Sequence, residues 1–220
     1  MGEAELRSDS LIIRSVFYFY GDAANEELAT QIAHDIQSHW NEPDARCLIR
    51  GRSRQIRFEI QGIHEPDIDP EKIWYNDNPQ LNFFRIEPEV MGNISFVDGI
   101  GSNTGYFKLG DIIQTSTTAP HEYGHTLGLV HPENLDIRGM PLPTIMYPRG
   151  TICDPHFQYD PTAAPAAYGG CLNPAFRKVT VSDIELLKLH TLSFSASQRA
   201  IVGAFSSIFH AKHLPADFVQ

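Results

Sequence analysis

The stretch His121-Glu122-Tyr123-Gly124-His125-Thr126-Leu127-Gly128-Leu129-Val130-His131 leaves the chain few ways to fold locally. Residues four apart share one face of a helix, so a helix here brings the imidazoles of His121 and His125 to one point. Gly128, three residues further on, can take the left-handed conformation that ends a helix and turns the chain. That turn swings His131 up towards the same point. Three imidazole nitrogens at about 2.0–2.1 Å make three corners of a tetrahedral zinc site and leave the fourth to solvent. Glu122 stands beside the first histidine, close enough to reach a water in that open corner without occupying a ligand position. The stretch thus predicts metal ligands at His121, His125 and His131, a general base at Glu122 and a turn at Gly128. The other histidines (His34, His39, His64, His156, His190, His210 and His213) form no comparable cluster.

The helix carrying the first two histidines is expected from Pro120, tolerated at the first helical position, to Leu129, with Pro132 as its stop. Before it, Leu11–Tyr20 is β-branched and aromatic and reads as a buried strand. Ala24, Leu28, Ile32, Ile36 and Trp40 recur every four residues and place a helix over Asp22–Trp40, capped by Asp22 or Asn25. Gln55–Ile60 alternates polar and apolar residues, as a half-exposed strand does. Asn82–Ile86, Asn93–Val97 and Tyr106–Leu109 are further strand candidates. This order suggests a mostly parallel sheet in the first half. From 132 to 179, eight prolines rule out a sheet interior and predict an irregular lobe. Ser182-Asp183-Ile184-Glu185 reads as a capping box opening a helix over Val181–Leu192. Ile201, Phe205, Ile208 and Phe209 suggest a last amphipathic segment.

With 220 residues the chain can bury a core unaided, and 17 Lys and Arg against 27 Asp and Glu give a net charge of −10. That balance argues against a nucleic-acid-binding surface. No apolar run approaches the length of about 18–20 residues needed to span a bilayer. The acidic start, Met1-Gly2-Glu3-Ala4-Glu5-Leu6, is not a secretory leader. The expectation is a secreted or exported protein whose leader is absent from this sequence, with a cytoplasmic or effector-delivered setting left open. Of the three cysteines, Cys153 and Cys171 could close a loop in an oxidising compartment, or all three, Cys47 included, are reduced thiols.

The histidine stretch, followed by Thr144-Ile145-Met146-Tyr147-Pro148, resembles the metzincin zinc peptidases, whose pattern is His-Glu-x-x-His-x-x-Gly-x-x-His and then a methionine turn. Met-Tyr-Pro together with His-Glu-Tyr-Gly-His-Thr-Leu-Gly-Leu looks most like the matrixins. The resemblance implies one zincin-like α+β catalytic domain over residues 1–220. Residues 1–129 would form its sheet, backing helix and active-site helix. Residues 130–220 would form an irregular lobe with the methionine turn and a C-terminal helix. It also implies a zinc-dependent endopeptidase acting on protein or peptide substrates, with Met146 as an apolar floor beneath the imidazoles and Tyr147 in structural support.

The specific match covers about 30 residues, and the chain departs from the family pattern in several places. Residues 132–145 separate His131 from Met146, a longer loop than matrixins usually have. Gly150 stands where matrixins tend to carry a wall-forming Tyr, and Pro148 where astacins and serralysins put a metal-reaching Tyr. Ala45-Arg46-Cys47-Leu48 lacks the flanks of the inhibitory Pro-Arg-Cys-Gly motif. Calcium sites at Asp67, Asp69, Asp77 and Asn78 have no support beyond their place in turns. The substrate pocket is expected within Thr144–Thr151, where Arg149 either favours an acidic side chain or is a solvated loop residue. An extended substrate is expected to pair with Asn93–Val97 or Tyr106–Leu109. Two alternatives stand beside the peptidase: a catalytically silent zinc-containing binding protein, and a protease toxin or effector domain.

Overall fold

A computed structural model describes residues 1–89, 93–114 and 117–212. The elements run β1 (Gly2–Leu6), β2 (Ser10–Tyr20), α1 (Glu26–Asn41), β3 (Arg46–Ile49), β4 (Arg52–His64), α2 (Pro70–Trp74), β5 (Leu81–Glu87), β6 (Phe96–Val97), β7 (Thr104–Lys108), α3 (Leu109–Gln114), α4 (Thr118–Thr126), α5 (Val181–Leu186) and β8 (Arg199–Val202). The strands form a mixed sheet in the order β3-β4-β2-β5-β7-β6. Its centre is parallel: β2 lies between β4 and β5, and β5 continues to β7. Its edges are antiparallel, with β3 on β4 and β6 on β7. β1 fills the half of β2 that β5 leaves, at Leu11–Arg14, and carries β8 on its far side. The near-continuous apolar run of β2 suits this position, because a central parallel strand is covered on both faces.

α1 supplies one cover, burying Ala29, Ile32, Ala33, Ile36 and Trp40. Asn25, not Asp22, is its cap: the side-chain oxygen accepts from the Leu28 amide at 2.8 Å. Trp40 sits where α1, β4 and α4 meet, with ring centroids 5.2 Å from Phe58 and 5.6 Å from Tyr123. Its indole N–H donates to the Pro120 carbonyl at 3.0 Å. The Tyr123 hydroxyl shares a 2.8 Å hydrogen bond with Ser15 on β2. α4 is therefore fixed to the sheet and to the backing helix before any ligand is considered.

Several expectations need correction. The strand expected at Asn93–Val97 is only Phe96–Val97, because the Ser95 amide and hydroxyl both donate to Asp111 instead of joining the ladder, and Asn93 is left-handed at φ 58°. The strand expected at Tyr106–Leu109 runs Thr104–Lys108, and Leu109 opens α3. The helix expected over Pro120–Leu129 starts at Thr118 and ends at Thr126. The C-terminal helix expected over Val181–Leu192 stops at Leu186: Lys188 is left-handed, and a short 3-10 turn, Leu189–Thr191, follows. Its capping box is Thr180 with Asp183, two residues before the Ser182–Glu185 register, which buries Ile184 and leaves Leu186 exposed. The last amphipathic segment is no helix. β8 uses Ile201 as an outward residue, and an extended tail follows, held by Phe209 stacked on Tyr20 and by His210 at 2.8 Å from Asp98. β1, β3, β8, α2 and α3 have no counterpart in the sequence reading.

The lobe from 132 to 179 is irregular as expected, with 3-10 turns at Pro155–Phe157 and Pro174–Phe176 and isolated bridges. All three cysteines are free thiols; burial, aided by Cys171 and Asp154, pushes the Cys153 thiol up to about 11. Among the described residues, no helix is long and apolar enough to cross a membrane.

Candidate metal centre and cleft

α4 delivers the first two histidines on one face, and the end of the helix delivers the third. Gly128 has φ 102°. Its amide donates to the His125 carbonyl at 3.0 Å and the Leu129 amide to the Gly124 carbonyl at 3.0 Å, the paired bonds of a Schellman turn. A residue with a side chain would be strained at that φ, so the glycine is what lets the chain reverse within three residues of His125. His131 then returns to the helix: its Nε2 lies 3.1 Å from His121 Nε2 and 3.0 Å from His125 Nε2. Among the described residues these three form the one cluster of His, Cys, Asp or Glu able to hold a metal ion. Asp67, Asp69, Asp77 and Asn78 do not form a second. Asp69 caps α2 and Asn78 closes a turn. His213 lies outside the described residues.

The surrounding backbone sets the tautomers. His121 Nδ1 donates to the Ile145 carbonyl at 2.7 Å, and His125 Nδ1 to the Leu129 carbonyl at 2.8 Å. With Nδ1 protonated, each Nε2 presents its lone pair to the shared point, as a metal-binding imidazole requires. The spacing between the nitrogens also suits the donor set: ligands about 2.0–2.1 Å from a tetrahedral ion stand roughly 3.3 Å apart. Burial lowers the pKa of all three rings, most strongly for His121, where the charges of Arg177 and His125 add to it. Neutral rings are the form that binds a cation.

Met146 is buried directly beneath α4. A Cβ at Gly124 would run into its sulfur and also meet Trp40, so the absence of a side chain between the two histidines is what admits the methionine. The neighbouring Tyr147 turns into a small core with Ile137, Cys153, Phe157 and Leu172. Asp183, the third residue of α5 and partner of Thr180 in its capping box, is buried against Thr144 and Ile145 and holds this turn.

The histidines open into a cleft of about 540 Å³. One wall is the edge segment with Ile94, Phe96 and Val97; the other is Pro148, Arg149 and Gly150. β6 is the sheet edge on this cleft, whereas β7 is paired on both sides, so Tyr106–Leu109 is excluded as a docking strand. Glu122 faces the cleft and is nearly buried, and that burial raises its carboxyl to about 8, with Arg177 and Arg149 pulling the other way. A divalent ion at the histidines would favour the carboxylate further. Arg149 is not a free cation: its Nη2 lies 2.6 Å from Asp111, the carboxylate that also holds Ser95. Thr144, Ile145 and Thr151 are not cleft residues; the pocket wall shrinks to residues 148–150.

Sequence reasoning missed Gly124, Asp111 and Arg177. Gly124 carries a readable signal, a residue without a side chain between the two histidines of the helix. Arg177 carries none, since it comes 46 residues after His131 in the proline-rich lobe (177 − 131).

No protein-family profile matches the chain, and no curated protein matches it. Among solved structures, one chain of a chaperone–substrate complex is similar at 17% identity and a TM-score of 0.44, over 83% of this chain and 35% of that one. Myroilysin is similar at 16% identity and a TM-score of 0.29, over 64% of this chain and 60% of its own. The chain thus spans about a third of the first and three fifths of the second. At these scores neither likeness defines a family.

Proposed function

We propose that this protein is a zinc-dependent endopeptidase of metzincin type. The observation that carries the reading is the set of three Nε2 atoms already gathered within tetrahedral ligand spacing beside a cleft-facing Glu122. Zinc held there would polarise a peptide carbonyl and bring the pKa of a water in the open corner to about 7. Glu122, facing the cleft beside the histidines, would hold the proton of the attacking water as general base and pass it to the departing amine as general acid. Gly128 shapes the ligand turn, while Met146 and Tyr147 support it from below. Phe96–Val97 offers the free edge along which an extended protein or peptide substrate is aligned. In this reading residues 1–129 and 130–220 are the two halves of one catalytic unit, exported to its place of action, with no nucleic-acid partner.

The test is Glu122→Ala in the zinc-loaded protein, with a peptide library or denatured casein as substrate. Zinc content should stay at wild-type level while cleavage disappears. Continued turnover by the purified variant sinks the assignment of the base. Wild-type protein that holds zinc yet cuts nothing points instead to a silent zinc-binding protein.

A further inference from the structure

Arg177 is buried at 4% exposure, and its guanidinium borders the same cleft as Glu122. Its N–H groups go to neutral acceptors. Nη1 donates to the Tyr147 carbonyl at 3.0 Å, and Nη2 to the Thr117 hydroxyl at 3.2 Å and the Thr117 carbonyl at 3.4 Å. Thr117 is itself committed, donating to the Pro174 carbonyl at 2.6 Å. Nη1 also lies 3.0 Å from His121 Nδ1. Because that nitrogen donates to Ile145, the contact is a close approach of two donors and not a hydrogen bond. Among the described residues its hydrogen-bonding contacts are all with neutral groups, and the carboxylate that acts on it is Glu122, through space.

A buried charge with no carboxylate in contact is costly, and Glu122 acts on this one only through space. The carbonyls of Thr117 and Tyr147 need donors, but a neutral side chain such as glutamine offers donors without that cost. A guanidinium beside a cation-binding site also repels the ion it neighbours. The charge is therefore retained at the expense of both stability and metal affinity, which places its use in the cleft. There the anionic species are the Glu122 carboxylate and the oxygen of the carbonyl under attack, and fixed charge in a water-poor site stabilises these strongly.

Resting on the endopeptidase reading, we infer that Arg177 supplies the fixed positive charge that stabilises negative charge on Glu122 and on the scissile carbonyl oxygen during turnover. Three measurements on the full chain test it: zinc affinity by chelator competition, kcat and KM on a cleaved peptide, and a thermal melt. Arg177→Gln should lower kcat about a hundredfold with KM nearly unchanged. It should also bind zinc at least as tightly as wild type, by up to about tenfold, because a repelling charge is gone. Arg177→Lys should recover much of kcat.

A residue that only braces the site gives the opposite sign: Arg177→Gln binds zinc more weakly, and Arg177→Lys rescues nothing. That outcome, or wild-type kcat in Arg177→Gln, overturns the inference. If Arg177→Gln does not fold, Arg177→Lys decides, since it keeps the charge and loses the branched hydrogen bonding. Near-wild-type kcat then supports the inference, and a hundredfold loss ends it. If the zinc-loaded wild type cleaves no peptide, the endopeptidase reading fails by itself. The zinc affinity of Arg177→Gln then judges the charge alone, tighter in support and weaker against.

Discussion

On one side of the cleft, α4 is gripped by Trp40 from α1, Ser15 from β2 and, through Trp40 and Tyr123, Phe58 from β4. On the other, residues 148–150 hang from a lobe with two short 3-10 turns but no α-helix or strand, whose own core is five buried side chains. The ligand side draws its rigidity from the main core, where aromatic rings pack in edge-on pairs. The lobe side is held by turns and a few bridging side chains. In its loop between Tyr159 and Cys171, Tyr168 is wholly solvent-exposed. A metal centre needs ligands held to within tenths of an ångström, whereas a wall that selects substrates can tolerate some give.

The contrast can be broken first at Trp40. Trp40→Ala removes the contact between backing helix and histidine helix, and a loss of about 3–5 kcal/mol is expected in urea unfolding. A loss below about 1 kcal/mol would mean α4 is not anchored there. Chelation comes next. Removing zinc supplied at a thousandfold over its Kd should cost about 4.1 kcal/mol. In hydrogen exchange the new openings should fall at the end of α4 and in residues 128–131, with β2 and β4 unchanged. Exchange spreading evenly over the sheet would show that the core does not hold the ligand side independently.

A smaller effect concerns the metal-free protein and pH. Glu122 is held near 8 in the fold against an ordinary value of 4.5. Between those values the folded state keeps a proton that the unfolded state releases, so the stability gained by burying the neutral acid is present below about 4.5 and is lost as pH rises towards 8. Glu122→Gln removes that dependence. Its advantage over wild type should grow by up to about 1.4 kcal/mol per pH unit in this window, measured by melts of chelated protein. A constant difference would mean Glu122 is ionised in the fold. His121, His125 and His131 act oppositely: with lowered values they stay neutral in the fold, and their contribution is lost as pH falls below the ordinary histidine range. The smallest effect belongs to the lobe: Tyr168→Ala should change stability by no more than about 0.5 kcal/mol. A larger loss would show that the loop packs on a partner.

The sequence by itself determined the features that depend on near neighbours. The four-residue spacing of His121 and His125, the left-handed Gly128, the return of His131, the apolar run of β2 and the amphipathic face of α1 are set by helix and strand periods within a few turns of chain. Tertiary structure decided whatever joins distant segments. The sequence places the capping box of α5 at Ser182, and the fold forms it at Thr180 with Asp183, whose carboxyl is buried against Thr144 and Ile145. Ser95 could have extended β6, and Asp111 took its donors. β1 and β8 exist because β2 leaves half an edge unpaired, which no local pattern announces. Arg177 reaches His121 only because the proline-rich lobe folds back over Thr117 and Tyr147. Spacing writes local geometry into the chain, but the field around the histidines comes from charges brought together over long loops, and their placement is settled only when the core closes.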